Sequence, residues 1–316
     1  MSPGSKNEIH FEISKLKERR PTLELRARIL HEFRNCLIEK GFLEVETPYI
    51  LPEPAPERHI DPIAVEEGYL HTSPEICMKR LFAAGYDRIF QICKCFRRRE
   101  HGSRHLPEFT MLEWYRAGIN YEGLMVDCET LVSEVVKRTK SGYTITYAGE
   151  EIDFRPPWQW LSVRDAFDRY AGMDLAPVLR EDKFEELLIE KVEPNLGRGR
   201  PTFLHDFPAS MAAMAKTRVE NSEIEERFEL YVAGVELANG FSELNDEAEQ
   251  KTRLEKEMEA RENMGKDIFP LPMKFLQSVG HMPDGAGIAL GIDRLVMVFA
   301  DKQDIKEVVA FAPEEL

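Results

Sequence analysis

No stretch of this chain approaches the roughly 18 consecutive apolar residues that a membrane-spanning helix needs. Its opening run, MSPGSKNEIHFEISKLKERR, lacks the apolar core of a secretory signal. Both absences predict a protein that stays in the cytoplasm and meets no membrane. Cysteine is scarce. Cys36, Cys77, Cys93, Cys95 and Cys128 form an odd set without framework spacing, which predicts reduced thiols rather than disulfides. Positive charge is in deficit, with 42 lysines and arginines against 57 aspartates and glutamates and a formal net charge of −15. Such a surface repels polyanions, which argues against general nucleic-acid affinity but leaves room for a local basic patch that holds a phosphate. Internal repeats and low-complexity segments are absent too. What remains is an ordinary globular composition: 43% hydrophobic content over 316 residues supports one large domain or two modest ones.

Residues 1–20 are polar and read as a short arm or helix ahead of a domain spanning 21–316. From Thr22 onward, Leu25, Ile29, Phe33 and Leu37 recur at helical spacing, and Gly41 follows as a stop signal. GFLEVETPYI reads as a strand ending at Pro48, and a proline-rich loop runs on to Pro62. A helix is expected from Ile76 to Ala84. RIFQICKCF and EFTMLEWY then form an antiparallel hairpin across the polar loop RRREHGSRHLP. Residues 122–139 look helical, and residues from about 160 to 200 suggest a small insertion over the sheet. PTFLHDFP is another strand. ERFELYVAGVELANGFSEL is a second hairpin, turning near Ala233-Gly234, and a charged helix follows from Asp246 to Met264. GAGIALGIDRLVMVFA closes the chain as a strand running into an apolar helix. Strands clustered into hairpins predict an α+β fold, a mainly antiparallel sheet flanked by helices.

Three constellations carry chemistry. In the first hairpin loop, Arg97, Arg98, Arg99 and Arg104 crowd together with His101 and His105. Guanidinium groups match phosphate geometry with paired hydrogen bonds, so the loop reads as a nucleotide phosphate clamp. Two other readings stand beside it: a solvated basic turn, and a zinc site from Cys93, Cys95, His101 and His105. Structural zinc sites usually place two or more residues between paired cysteines, and here there is one. Second, Glu229 and Glu236 sit on opposite arms of the second hairpin and can converge on one face. Paired carboxylates need a cation between them, and Mg²⁺ takes one or two carboxylates together with substrate phosphates. Asn239, Phe241 and Glu243 share one parity and Glu236 has the other, so a bulge is expected at Asn239-Gly240 to bring Glu236 and Glu243 into one pocket. The alternative is an edge strand with solvated acids. Third, Gly287 and Gly291 allow close backbone approach to a ligand, and Arg294 opens the following helix.

With these residues on the page, the chain resembles a class II aminoacyl-tRNA synthetase core of the lysyl type, from about Thr22 to Ala300. The long helix and ETP strand, the hairpin FRRREHGSRHLPEFTMLEWY and the closing GIDRL match the three class motifs in order. TSPEICMKRL, HLPEFTMLEWY and ELANGFSELND are lysine-subgroup wording. Within that group the chain is most similar to the truncated lysyl-tRNA synthetase paralogues that attach (R)-β-lysine to a lysine of elongation factor P. VEPNLGRGRPTFLHDFPASMAAMAK follows their wording, Ala289 stands where lysyl-tRNA synthetases carry glycine, and no anticodon-reading barrel is expected ahead of the core.

The resemblance implies an ATP-dependent, AMP-forming ligase with Arg97, Arg294 and Glu236 as its catalytic residues. Arg97 and Arg294 would meet the ATP phosphates, with Arg99, Glu100, His105, Leu106, Leu237 and Gly291 around the nucleotide. Glu229 and Glu236 would hold Mg²⁺. Ser73 and Glu75 would take the backbone amine end of lysine or β-lysine. Tyr115 and Glu243 would take the side-chain ammonium, with Asn239 beside them and Ala289 at the α-carbon end. Arg99 stands where these synthetases have glutamate, and Leu106 where they have asparagine, which implies ATP contacts mostly through the loop backbone. The acceptor implied is elongation factor P rather than tRNA. A non-catalytic regulator would be marked by loss of Arg97, Glu229, Glu236 or Arg294, and all four are present. A homodimer is implied, because the Thr22–Lys40 helix and the strand ending at Pro48 correspond to the class dimer motif.

Overall fold

The apolar alternation of the strand segments builds one large sheet, and the computed structural model describes it within residues 6–211 and 213–316. Its strands, numbered along the chain, are β1 (Leu43–Glu44), β2 (Arg88–Phe96), β3 (Glu108–Ala117), β4 (Gln159–Ser162), β5 (Thr202–Pro208), β6 (Ile224–Val232), β7 (Val235–Ser242) and β8 (Gly285–Gly291). Their order across the sheet is β1-β2-β3-β8-β7-β6-β5-β4. All neighbours pair antiparallel except the two outermost pairs, β1 with β2 and β4 with β5. The α+β expectation with a mainly antiparallel sheet therefore holds.

The helices that matter here are α1 (Lys6–Glu39), α2 (Glu75–Ala83), α3 (Tyr121–Lys140), α4 (Glu247–Asn263), α5 (Met273–Val279) and α6 (Ile292–Ala300). Leu25, Ile29, Phe33 and Leu37 of α1 are buried, as their spacing predicts. With α3 and α6 they cover the sheet face that presents Phe90, Leu112, Trp114, Phe228, Ile288 and Leu290. Each such side chain contributes about 1.5–3 kcal/mol through its burial. Between residues 163 and 195, short helical turns gather Phe167, Val178, Phe184 and Leu188 into a separate packed cluster over β5. No helix among the described residues is long and apolar enough to cross a membrane.

Two local expectations change. The expected arm lies outside the described residues only for 1–5. From Lys6 the chain is already helical and continues through Pro21, which is exposed, so the carbonyl that proline leaves unpaired can meet water. The strand expected over GFLEVETPYI breaks into Leu43–Glu44 and Ile50–Leu51, which join different sheets. Pro48 between them has no N–H for a ladder.

Candidate active site

The second face of the sheet collects nearly every polar residue singled out above. Cross-strand partners share a face, and the register aligns Gln91 with Glu113, Glu113 with Ala289, Ala289 with Asn239, and Asn239 with Glu229. Tyr115 pairs with Gly287, and Met111 with Gly291. The parity problem of Glu236 is solved by a bulge, but at a different place from the one expected. Ala238 pairs with Leu230 and Glu236 with Tyr231, so Leu237 is the extra residue. That slip turns Glu236 onto the face of Glu229 and Asn239. Asn239-Gly240 is regular, and a Cβ on Gly240 would meet the Phe228 ring at 2.7 Å, so this glycine serves packing.

A cavity of about 1000 Å³ opens over this face. Arg97, Glu100, His105 and Leu106 line it from the hairpin loop, Glu229, Glu236, Leu237 and Asn239 from β6 and β7, and Ala289, Gly291 and Arg294 from the β8–α6 corner. Arg99 is exposed in a left-handed turn outside this lining, and Leu106 is buried. Arg97 stacks on Phe109, 5.0 Å from the ring centre, and stands 3.6 Å from Glu100. Arg294 is aimed by its neighbours. It donates to the carbonyl and carboxylate of Glu236, each at 3.0 Å, and to His105 Nε2 at 2.6 Å. Partial desolvation at the cavity wall and the adjacent Arg294 charge hold His105 below the ordinary histidine range, and since a guanidinium only donates, Nε2 is the accepting nitrogen. Asp293 pins the base of α6, accepting from the Thr110 amide at 2.6 Å and pairing with Arg26 at 2.5 Å. The cavity's arginine side thus carries two guanidinium groups held ready by fixed partners.

Glu229 accepts from Arg227 at 2.6 Å and from the Tyr231 hydroxyl at 2.7 Å. Burial pushes its pKa up to about 7, with Arg227 opposing the rise and Glu236 adding to it. Arg227 also donates to Asn239 Oδ1 at 3.0 Å. Two carboxylates on one face of the sheet suit a hard divalent cation of the Mg²⁺ type.

Below the cavity floor lies a corner of buried acids. Lys79, on α2 one turn after Glu75, places its ammonium 2.6 Å from Glu75 Oε1 and 2.7 Å from Glu243 Oε2. Glu243 Oε1 has no hydrogen-bond partner. Glu113 accepts from the Ser73 hydroxyl and from the Tyr115 hydroxyl, the latter at 3.0 Å. Burial, then the nearby Glu75 charge, pushes the Glu113 carboxyl well above its usual range. Two carboxylates therefore share one ammonium, and a third beside them is held by hydroxyls. Gly287 makes the corner fit, since a Cβ there would meet the Tyr115 ring at 2.4 Å and Glu243 Oε1 at 2.6 Å. Of the residues expected around the amines, Glu75, Asn239 and Ala289 line the cavity, whereas Tyr115 and Glu243 are buried beneath it. Sequence reasoning missed Glu113 and Lys79 as members of the site. Their signal was present: Glu113 shares strand parity with Tyr115, and Lys79 is four residues from Glu75 on a helix.

The zinc set weighed from the sequence is corrected. His101 and His105 are exposed on the hairpin loop and His105 bonds to Arg294, while the residue that joins Cys93 and Cys95 is His71. Neighbours in sequence were carried away from the strand face by the turn.

Comparison with known proteins agrees with this geometry. The family model for tRNA synthetases of class II (D, K and N) matches residues 7–315. The chain belongs to that family. A lysine–tRNA ligase from Dehalococcoides mccartyi is 38% identical over 320 residues, covering 92% of this chain and 64% of its own. The elongation factor P–(R)-β-lysine ligase of Haemophilus ducreyi is 37% identical and is matched over 93% of this chain and 94% of its own. That of Edwardsiella ictaluri is 38% identical, with 91% and 93% covered. The chain thus spans under two thirds of the length of the lysine–tRNA ligases it matches.

Proposed function

We propose that this class II synthetase-like chain activates lysine or (R)-β-lysine with ATP and transfers it to a lysine side chain of elongation factor P. One observation carries the amino-acid part of this reading: Glu75 and Glu243 share the ammonium of Lys79, and Glu113 beside them has only hydroxyl donors. Burial favours the proton on Glu113 while the corner is empty, and once a cation draws that proton off, the three acids exceed the one ammonium by two charges. A substrate with two ammonium groups supplies the matching pair, since a desolvated charge needs a charged partner. Elongation factor P as acceptor draws on the names of the two ligases compared above. It also draws on the net charge of −15, which disfavours tRNA, and on Ala289 at the cavity floor.

In the first step the amino-acid carboxylate oxygen attacks the α-phosphorus of ATP, and the bond to the β-phosphate bridging oxygen breaks as pyrophosphate leaves. Arg97 and Arg294 neutralise charge on the phosphates, and their fixed partners keep them aimed without reorganisation. Glu229 and Glu236 would hold Mg²⁺, which when bound neutralises phosphate charge beside them. In the second step an acceptor amine attacks the carbonyl carbon of the aminoacyl-adenylate. AMP leaves, and the amine gives up its proton as the amide forms. Glu75, Glu113 and Glu243 hold the diamine while both steps proceed, and such positioning is worth several powers of ten in rate.

The test is pyrophosphate exchange with α-lysine and (R)-β-lysine, followed by acceptor assays with elongation factor P and with lysine tRNA. Adenylate formation and labelling of elongation factor P support the reading. Charging of tRNA alone would replace it with a lysine–tRNA ligase.

A further inference from the structure

Beside the acid corner, on the same face of the sheet, lies a buried cluster that the reaction above does not use. Cys93 and Cys95 alternate onto this face of β2 and their sulfurs stand 4.0 Å apart. Met111 of β3 brings its sulfur within 4.0 Å of Cys95. His71, on the segment that leads into α2, is wholly buried. A ring nitrogen of His71 and the two cysteine sulfurs all lie within 4.8 Å of one another. Nε2 sits 2.6 Å from the Lys94 carbonyl, and since a carbonyl only accepts, this nitrogen carries the proton. Nδ1 is then the lone-pair nitrogen, and it has no hydrogen-bond partner despite complete burial.

We propose that His71 Nδ1, Cys93 Sγ and Cys95 Sγ form a binding site for one thiophilic d¹⁰ cation, Zn(II) or Cu(I), with the Met111 thioether as a weak fourth donor. The donor set is the soft one that selects such ions over Mg²⁺. The separation fits as well. Thiolates bound at about 2.3 Å stand about 3.8 Å apart at a tetrahedral angle and about 4.0 Å apart at a trigonal one, so the observed spacing needs no backbone movement. A disulfide fits less well, because residues two apart on a strand hold their Cα atoms about 6.8 Å apart, at the far end of what that bond spans. Binding releases both thiol protons to solvent, and two thiolates around Zn(II) leave no net charge to bury.

The Lys94 carbonyl that orients His71 is the outer-shell partner a metal-bound histidine requires. Met111 lines the large cavity, which offers the ion a way in. A bound ion would tie the His71 segment to β2, and that segment carries Ser73 and Glu75 into the acid corner two and four residues later. The site would thus brace the amino-acid pocket from behind.

The test uses the full chain, freed of metal by dialysis against chelator and kept reduced. Zn(II) and, under anaerobic conditions, Cu(I) are titrated separately in competition with a chromophoric chelator, and Co(II) is added as a spectroscopic probe. The expected result is about one equivalent bound per chain, with thiolate-to-cobalt charge-transfer absorption. Cys93→Ser and His71→Gln should each weaken binding by at least about tenfold, whereas Glu236→Gln should leave it unchanged. The tighter of the two ion titrations identifies the ion. Co(II) bound without thiolate absorption, no binding of either ion, or binding unaffected by Cys93→Ser would overturn the proposal. Should the cysteine variant fail to fold, the cobalt spectrum of the unaltered chain decides.

Discussion

Lys79 Nζ lies 2.7 Å from Glu243 Oε2 in a space closed to solvent. The same ammonium serves Glu75, so one resident cation answers two acids, and Glu113 beside them has only hydroxyl donors. The corner holds more acids than cations.

Replacing that cation exposes the shortage. Lys79→Met keeps the apolar stem but leaves two buried carboxylates facing each other, which should reduce stability at neutral pH by about 3–5 kcal/mol. Added lysine should then raise the melting temperature of the variant more than that of the unaltered protein, because its amines restore the missing charge. Thermal unfolding with and without millimolar lysine checks both, and equal shifts would show that the amines bind elsewhere.

Acid should favour the same corner. Burial pushes the Glu243 carboxyl from an ordinary 4.5 up to about 7 in the fold, against the pull of Lys79 and with Glu75 adding to it. The folded state therefore keeps its proton where the unfolded chain has lost it. Stability is full below about pH 4.5 and falls as pH rises toward 7, by up to about 3 kcal/mol for this group. Glu243→Gln should lack that fall. Urea midpoints at pH 5 and pH 7.5 for both proteins measure it, and parallel changes would place Glu243 in ordinary ionisation.

Glu236→Gln preserves shape and its contact with Arg294 while removing a negative charge from the Glu229 pair. Adenylate formation should fall by at least about 100-fold with the melting temperature little changed. Pyrophosphate exchange at a near-normal rate would move the metal site away from this pair.

Ala289 is half-buried on the cavity floor, against Cys93, Cys95 and Met111. On the proposed function its methyl would occupy space beside the α-carbon end of the substrate, and one methyl is worth about 1 kcal/mol of discrimination. Ala289→Gly should shift the ratio of kcat/KM for α-lysine over β-lysine about tenfold toward α-lysine. An unchanged ratio would assign the methyl to packing alone.

Ile38, Leu43, Tyr49 and Ile50 are all exposed between the end of α1 and the strand Ile50–Leu51. Their nearness in sequence and the patch on α1 where Ile13, Leu16, Leu23 and Ala27 lie among Lys17, Arg20 and Glu24 predict a homodimer that covers them. Light scattering at micromolar concentration should give twice the chain mass, and a monomer would contradict it.

Much of this architecture was readable because local signals agreed with it. The hairpin β2–β3 and the turn at Ala233-Gly234 fall where parity and turn residues put them. The strands Thr144–Tyr147, Glu150–Asp153 and β4 were not read, since four residues give too few positions for an alternation to stand out, whereas the longer β5 was read from PTFLHDFP. Lys79 hid for another reason: EICMKR looks like any helix with a charged outer side, and only the return of β7 buries that side. His71 joined the cysteines by the same long-range folding, while nearer histidines stayed on the loop.

The extra residue in β7 gives that strand two reading frames. Before Leu237 one parity faces the cavity, and after it the other does, while Leu237 and Ala238 both sink into the core. Substituting Leu237 by another apolar side chain leaves both frames intact. Deleting it would make the ladder more regular and turn Glu236 toward the apolar layer, stripping Arg294 of its partner. At this strand the length of the chain is under tighter constraint than its composition.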